Sequence, residues 1–170
     1  MGFWNILKGK TNEKVNIIET DPTCVYAPVK GEVISLKEIG DGVFSEQILG
    51  KGCGIRPSEG IVAAPFDGEV LQVAKTKHAL GLKSDSGIEV LVHVGMDTVD
   101  MNGTGFTLSV RSGDRVKCGQ QIMTFSLSDI EAAGHPATTA VIITNTDQYK
   151  EVSLLGTGSI NRSQKLLQII

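Results

Sequence analysis

Glycine recurs along almost the whole chain, 20 times in 170 residues, and many of the intervening stretches are short and β-branched. "GEVISL", "GIVAAP", "GEVLQV", "IEVLVHV", "AVIIT" and "EVSLL" are runs of strand length, and "GDG", "GKGCG", "DSG", "NG", "SGD" and "CGQ" read as the turns between them. Glycine weakens helices and supplies the left-handed conformations that tight turns need. Such a chain has little room for long helices or parallel crossovers. Many short strands at turn spacing give a sandwich or a barrel. The expected fold is therefore all-β, an antiparallel β-sandwich or barrel with one or two short helices. "SLSDIEAAG" predicts one helix, capped by Ser128, with Glu131 three residues on as in a capping box and Gly134 as its stop.

A repeat sharpens this expectation. "APVKGEVISL" (residues 27–36) returns as "APFDGEVLQV" (residues 64–73). Proline donates nothing to a ladder, so each copy should begin at an edge or a bend. The glycine then lets the chain turn into the next strand. The reading is a duplicated β-unit, two similar halves folded on each other. Biotinyl and lipoyl carrier domains also use repeated β-units, and they need a modifiable lysine at a hairpin tip. Lys30 is the lysine in a comparable turn, but "PVKG" lacks the usual hydrophobic flanks.

Charge and cysteine usage bear on the function class. The net charge is −3 and no basic block interleaves with aromatics, so no nucleic-acid partner is expected. No apolar run approaches the ~20 residues of a membrane span, and no secretory signal is visible. Cys24, Cys53 and Cys118 stand far apart without a C-x-x-C. They read as buried side chains in a reducing, cytoplasmic setting.

One stretch carries chemistry. In "GIEVLVHVGMDT" side chains alternate between two faces of a strand. Val90, Val92, Val94 and Met96 form one apolar face, which predicts the core. Glu89, Leu91 and His93 form the other. A histidine there is either an ordinary hydrogen-bonded strand residue or a functional one. Gly95 leaves room for close approach, and Asp97 and Thr98 follow with polar groups. His78 lies one hairpin away, so a turn at residues 84–87 would set it beside His93. Two histidines and Asp97 could also form an incomplete zinc set, as in hydrolases on related duplicated β-folds. The chain, however, has no H-x-H and no H-E-x-x-H.

"GIEVLVHVGMDTV" closely resembles the active-site signature of the glucose-type IIA component of the bacterial phosphoenolpyruvate-dependent sugar phosphotransferase system (PTS). "GDGVFSEQILGKGCGIRPSEGIVAAPFDGEV", "TKHALGLKSDSG", "NGTGF", "SGDRVKCGQQI" and "VIITN" resemble further parts of that family. The resemblance implies a β-sandwich with a shallow, partly apolar active-site depression. It implies that His93 is phosphorylated by the carrier protein HPr, that His78 is its partner and that Thr76 supports the pair. The phosphoryl group then passes to the IIB domain of a membrane sugar transporter, and phosphorylation state regulates further partners. Val43, Phe44, Ile48, Leu49, Leu91 and Val99 match docking positions, and Asp41 and Asp97 match an acidic flank. No cofactor is implied, though paired imidazoles at His78 and His93 could hold zinc weakly if a partner supplied a carboxylate. Nothing in the family assigns a role to His135 in "AGHPAT". Positions often filled by phenylalanine are Ala74 and Leu91 here.

The resulting organisation is a PTS IIA type-1 domain over residues 21–170, preceded by a flexible or amphipathic segment at residues 1–20. In "MGFWNILKGKTNEK" helical spacing would put Phe3, Trp4 and Leu7 on one side, with Lys8, Lys10 and Lys14 basic. Weak, salt-sensitive contact with anionic membrane is the expectation.

Overall fold

The computed structural model describes residues 19–170; the amphipathic stretch at residues 1–14 lies outside the described residues. The glycine-bounded runs become 14 short strands. In the first half these are β1 (Cys24–Tyr26), β2 (Gly31–Ser35), β3 (Lys51–Pro57), β4 (Ile61–Ala63), β5 (Gly68–Val73), β6 (Ala79–Ser84) and β7 (Glu89–His93). In the second they are β8 (Phe106–Leu108), β9 (Arg115–Val116), β10 (Gln121–Phe125), β11 (Thr139–Ile143), β12 (Val152–Leu154), β13 (Gly158–Ile160) and β14 (Lys165–Ile169). Every strand pairing is antiparallel. The eight-stranded sheet has the order β13-β2-β3-β11-β7-β6-β5-β9, and two three-stranded sheets run β1-β14-β12 and β4-β10-β8.

The main core lies between the large sheet and the two small ones. Ile55, Leu80, Leu82, Val90, Val92 and Val141 from the large sheet join Val25, Val62, Ile122, Met123, Leu166 and Leu167 from the small sheets in one buried cluster. A second, smaller cluster of Leu36, Phe44, Met96, Ala140 and Ile142 covers part of the opposite face of the large sheet. That opposite face is where the functional side chains emerge.

The duplication extends well beyond the ten-residue repeat. Each Ala-Pro occupies the bend between a three-residue strand and the next strand, β1 to β2 and β4 to β5. The two bends clasp each other reciprocally: Tyr26 N–H donates to the Pro65 carbonyl (2.8 Å) and Ala63 N–H to the Pro28 carbonyl (2.7 Å). The pattern continues where sequence likeness has faded. Ala27 N–H donates to the Gln164 carbonyl and Ala64 N–H to the Gln120 carbonyl. Ser163 and Gly119 return the bond, each from a left-handed backbone, with φ of 68° and 85°. Thus β13 and β14 in one half correspond to β9 and β10 in the other.

Three local readings need correction. "GKGCG" is not a turn. It lies largely in β3, a seven-residue strand between β2 and β11. Cys53 and Ile55 point into the core there. At Gly54 a Cβ would lie 2.9 Å from Ile34 and 3.1 Å from Ile39, so the glycine lets the 3-10 turn Leu36–Ile39 pack onto the sheet. The α-helix, α1 (Leu127–Ala132), starts earlier than a cap at Ser128 would allow. Its cap is Ser126, whose hydroxyl accepts from Asp129 N–H, while Ser128 lies inside the first turn. Leu127, packed on the core, fixes that start. Finally, Met96 does not continue the valine face. The chain turns at Gly95 (φ 75°), and Met96 packs on the other side of the sheet with Phe44 and Ile142.

Candidate functional site

Strand register brings the two histidines together. The β6–β7 hairpin pairs Ala79 with His93, so His78 lies just before the strand partner of His93. Val94 N–H donates to the His78 carbonyl (2.8 Å), which holds the two backbones together past the strand ends. The imidazoles meet edge to face, ring centroids 4.8 Å apart and 81° between planes. Phe44 closes the other side of His93, centroids 5.0 Å apart. The expected pairing of His78 with His93 is therefore present in the structure.

Each ring has one nitrogen engaged. His93 Nδ1 lies 2.8 Å from the Gly95 carbonyl oxygen. A carbonyl only accepts, so Nδ1 carries the proton and Nε2 keeps its lone pair. His78 Nδ1 lies 2.8 Å from the Thr76 hydroxyl. Thr76, His78 and His93 thus form one short chain of contacts. Burial is the main cause that pushes the His93 imidazole down to about 4; proximity to His78 adds to it, and the Gly95 bond and Asp41 oppose it. Burial also lowers His78, against a hydrogen bond at Thr76. Both rings are neutral at physiological pH, the state in which an imidazole nitrogen is a nucleophile.

The surroundings are mainly apolar, with two carboxylates, Asp41 and Asp97. Val43, Ile48, Leu49 and Val99 are exposed, and Leu91 is half-buried on the face of His93. Phe44 is buried against His93 and forms a wall of the site rather than its rim. Asp41 anchors the irregular segment that presents Val43, Ile48 and Leu49. Its carboxylate accepts from the backbone N–H groups of Val43 (3.3 Å), Phe44 (3.1 Å) and Ser45 (3.0 Å). Burial pushes that carboxyl up, but these bonds outweigh it and hold the group below the usual range. Asp97 is exposed on the turn after Gly95 and, with His78 and His93, forms no metal-holding set; among the described residues no group of three such side chains does.

Sequence reasoning missed several features. The role of Gly95 as the acceptor for His93 Nδ1 was open to inference from its place two residues on, since that spacing puts its carbonyl within reach. Met96 beside Phe44 had no such signal, because alternation assigned it to the opposite face. A groove of about 320 Å³ lined by Leu71, Ala74, Ala79, Gly81, Leu91 and Thr144 opens beside the site. The small residues Ala74, Ala79 and Gly81 leave this space, and only the pairing of β5, β6 and β7 brings them beside Leu71 and Leu91.

Comparison with known proteins agrees with this geometry. Residues 23–149 match the model of the family described as phosphoenolpyruvate-dependent sugar phosphotransferase system, EIIA 1. The chain is 38% identical over 169 residues to the PTS glucose-specific EIIA component of Oceanobacillus iheyensis, covering 99% of both chains. It is 41% identical over 140 residues to the glucose-specific EIIA component of Staphylococcus aureus, covering 82% of this chain and 84% of that one. It is 44% identical over 145 residues to the beta-glucoside-specific EIIBCA component of Bacillus subtilis, where it covers 85% of this chain but spans about a quarter (24%) of that relative. Among solved structures, glucose permease IIA from Mycoplasma capricolum superposes with a TM-score of 0.78 at 32% identity, over 85% of this chain and 93% of that one. An antiparallel sandwich with this histidine pair and these relatives is a phosphotransferase component. More narrowly, the chain belongs to the EIIA 1 family of the phosphoenolpyruvate-dependent sugar phosphotransferase system. Neither the zinc-hydrolase nor the biotinyl or lipoyl carrier reading finds support among these matches. Among the described residues, no helix is long and apolar enough to cross a membrane.

Proposed function

We propose that this chain accepts a phosphoryl group from phospho-HPr on His93 Nε2 and passes it to the IIB domain of a membrane sugar transporter. The observation that carries this reading is the His93 Nδ1–H bond to Gly95 O, which leaves the lone pair of a neutral ring at Nε2. In the forward step that lone pair attacks phosphorus in line as the bond to the donor's leaving atom breaks. Nδ1 keeps its proton, and positive charge growing on the ring is stabilised by the Gly95 carbonyl dipole and the Asp41 charge. The onward step reverses this, with the phosphorus–Nε2 bond breaking as the acceptor attacks.

His78 is the donor for the phosphoryl oxygens. In the tautomer in which the Thr76 hydroxyl donates to Nδ1, the His78 proton sits on Nε2, free to reach an oxygen on His93. The absence of a cationic clamp among the site residues named here keeps the phosphoryl group transferable in either direction. Val43, Ile48, Leu49, Leu91 and Val99, with Phe44 behind them, form the docking face, flanked by Asp41 and Asp97. The names of the beta-glucoside-specific EIIBCA and glucosamine-specific EIICBA relatives join a component of this type to B and C in one protein, which supports a IIB acceptor. Phosphorylation adds about two negative charges to this face, so partners that read it can respond to sugar supply from the cytoplasmic side. The test is transfer from labelled phospho-HPr. Wild type should take up one acid-labile phosphoryl group and His93→Ala none; undiminished labelling of His93→Ala would overturn the assignment.

A further inference from the structure

His135 lies outside the histidine pair, yet it is tied into the same turn. Its Nε2 donates to Asp100 Oδ1 at 2.7 Å, with the His135 side chain 15% exposed and that of Asp100 65%. The two residues are 35 apart in sequence. Asp100 lies in the 3-10 turn Thr98–Met101, directly after the Gly95 turn. His135 lies in the connection from α1 to β11, and its N–H donates to the Ile130 carbonyl at the helix end (3.2 Å). The same connection touches the Gly95 turn once more: Met96 N–H donates to the Pro136 carbonyl at 3.0 Å. A Cβ on Gly95 would stand 3.1 Å from that carbonyl, so the two backbones are in close contact.

The backbone bond at Met96 and the side-chain bond at Asp100 thus bracket the catalytic turn. Between them lies Thr98, whose hydroxyl donates to the Val94 carbonyl at 2.6 Å, and immediately before Met96 lies Gly95, whose carbonyl accepts from His93 Nδ1. The helix end is itself fixed by the core residue Ile130.

We infer that His135 is a positioning residue for the nucleophile: bonded to Asp100, it fastens the turn of residues 95–101 to the rigid end of α1. The Gly95 carbonyl is thereby kept on His93 Nδ1 and the lone pair on Nε2. Releasing the clasp lets the turn drift. A ring no longer bonded at Nδ1 exchanges its proton between the two nitrogens, and the fraction with a free Nε2 falls. The inference rests on the phosphotransfer reading for its kinetic consequence, but the tautomer is a property of the unphosphorylated chain and is measured without any partner.

The experiment uses the full chain and His135→Ala, His135→Gln and Asp100→Ala. Ring nitrogen shifts of His93 report the tautomer by NMR at neutral pH, and phosphotransfer from labelled phospho-HPr gives kcat and KM. Wild type should show Nδ1–H alone. His135→Ala and Asp100→Ala should show averaged nitrogen shifts and a kcat down by about tenfold, since small misplacements of a reacting group cost that much or more, with KM within twofold. His135→Gln, whose amide can donate to Asp100, should recover most of both. A wild-type tautomer in His135→Ala would overturn the inference, whatever its thermal stability. So would a rise in KM alone, which would make Asp100 and His135 docking residues. A wild-type chain with Nδ1–H that accepts no phosphoryl group would instead overturn the proposed function, and the tautomer comparison would still decide the clasp.

Discussion

A side chain at position 95 would stand 2.4 Å from Thr98 Cγ2, and the residue holds a left-handed φ of 75°, so only glycine fits where the His93 partner carbonyl must be. The same burial that makes His93 a neutral nucleophile costs stability in acid. Its imidazole falls from 6.5 to about 4 on folding. Between those values the unfolded chain binds more protons than the folded one, so stability rises with pH there and is lost as pH drops. The loss from this one group is about 3 kcal/mol at most. For a domain of this size ~1 kcal/mol is worth about 2–4 °C. Between pH 7 and pH 4.5 the wild-type Tm should therefore fall by about 5–10 °C more than that of His93→Asn; equal losses would show that His93 is not desolvated as described. His78 separates from His93 in a different assay. His78→Gln keeps a donor at that place but not the imidazole's protonation range. It should accept from phospho-HPr at near the wild-type rate yet pass the group to IIB about 100-fold more slowly, a typical worth for proton-managing groups. Wild-type rates in both half-reactions would make His78 a bystander.

The segment of residues 41–50 has no strand and no helix, and still it presents Val43, Ile48 and Leu49. Its order comes from the Asp41 carboxylate on three backbone N–H groups and from Phe44 buried against His93. Because Ile48 is 69% exposed, a charge there should change stability by less than about 0.5 kcal/mol. If the segment is the docking face, Ile48→Asp should raise KM for phospho-HPr by about tenfold or more with kcat within twofold; an unchanged KM would remove it from the interface. How legible such elements were depended on the range of the signal. Alternation along β7 and the hairpin spacing placed His78 beside His93 from sequence alone, because period and turn are local. The cap at Ser126 and the strand at "GKGCG" were missed, because Leu127 and Gly54 are chosen by packing against distant residues. The Asp100–His135 bond had no local trace at all.

At the scale of the whole molecule, the repeated Ala-Pro unit disclosed only the first part of each half. The second parts, "VKCGQQIMTF" and "INRSQKLLQI", share one glutamine and an apolar pattern, so their equivalence shows only in the backbone. The equivalence is nevertheless structural: Ile122, Met123 and Phe125 in β10 stand where Leu166, Leu167 and Ile169 stand in β14, and all are buried. Each strand is the middle member of its three-stranded sheet. The two halves also hold each other through the Tyr26–Pro65 and Ala63–Pro28 bonds, so neither half has a separate core to fall back on. The consequence is that the last strand is needed for the whole fold, including a site far from it in sequence. Removing residues 164–170 exposes the partners of three buried side chains, each worth about 1.5–3 kcal/mol. It also strips β1 and β12 of their common partner. That total is comparable to the ~5–15 kcal/mol by which domains are stable. The truncated chain should lose cooperative thermal unfolding and all phosphoryl acceptance from HPr, while Leu167→Ala in the full chain should cost about 2–5 kcal/mol and leave acceptance intact below its Tm. A truncated chain that still unfolds cooperatively and still takes up phosphate would mean that the half containing His78 and His93 stands on its own.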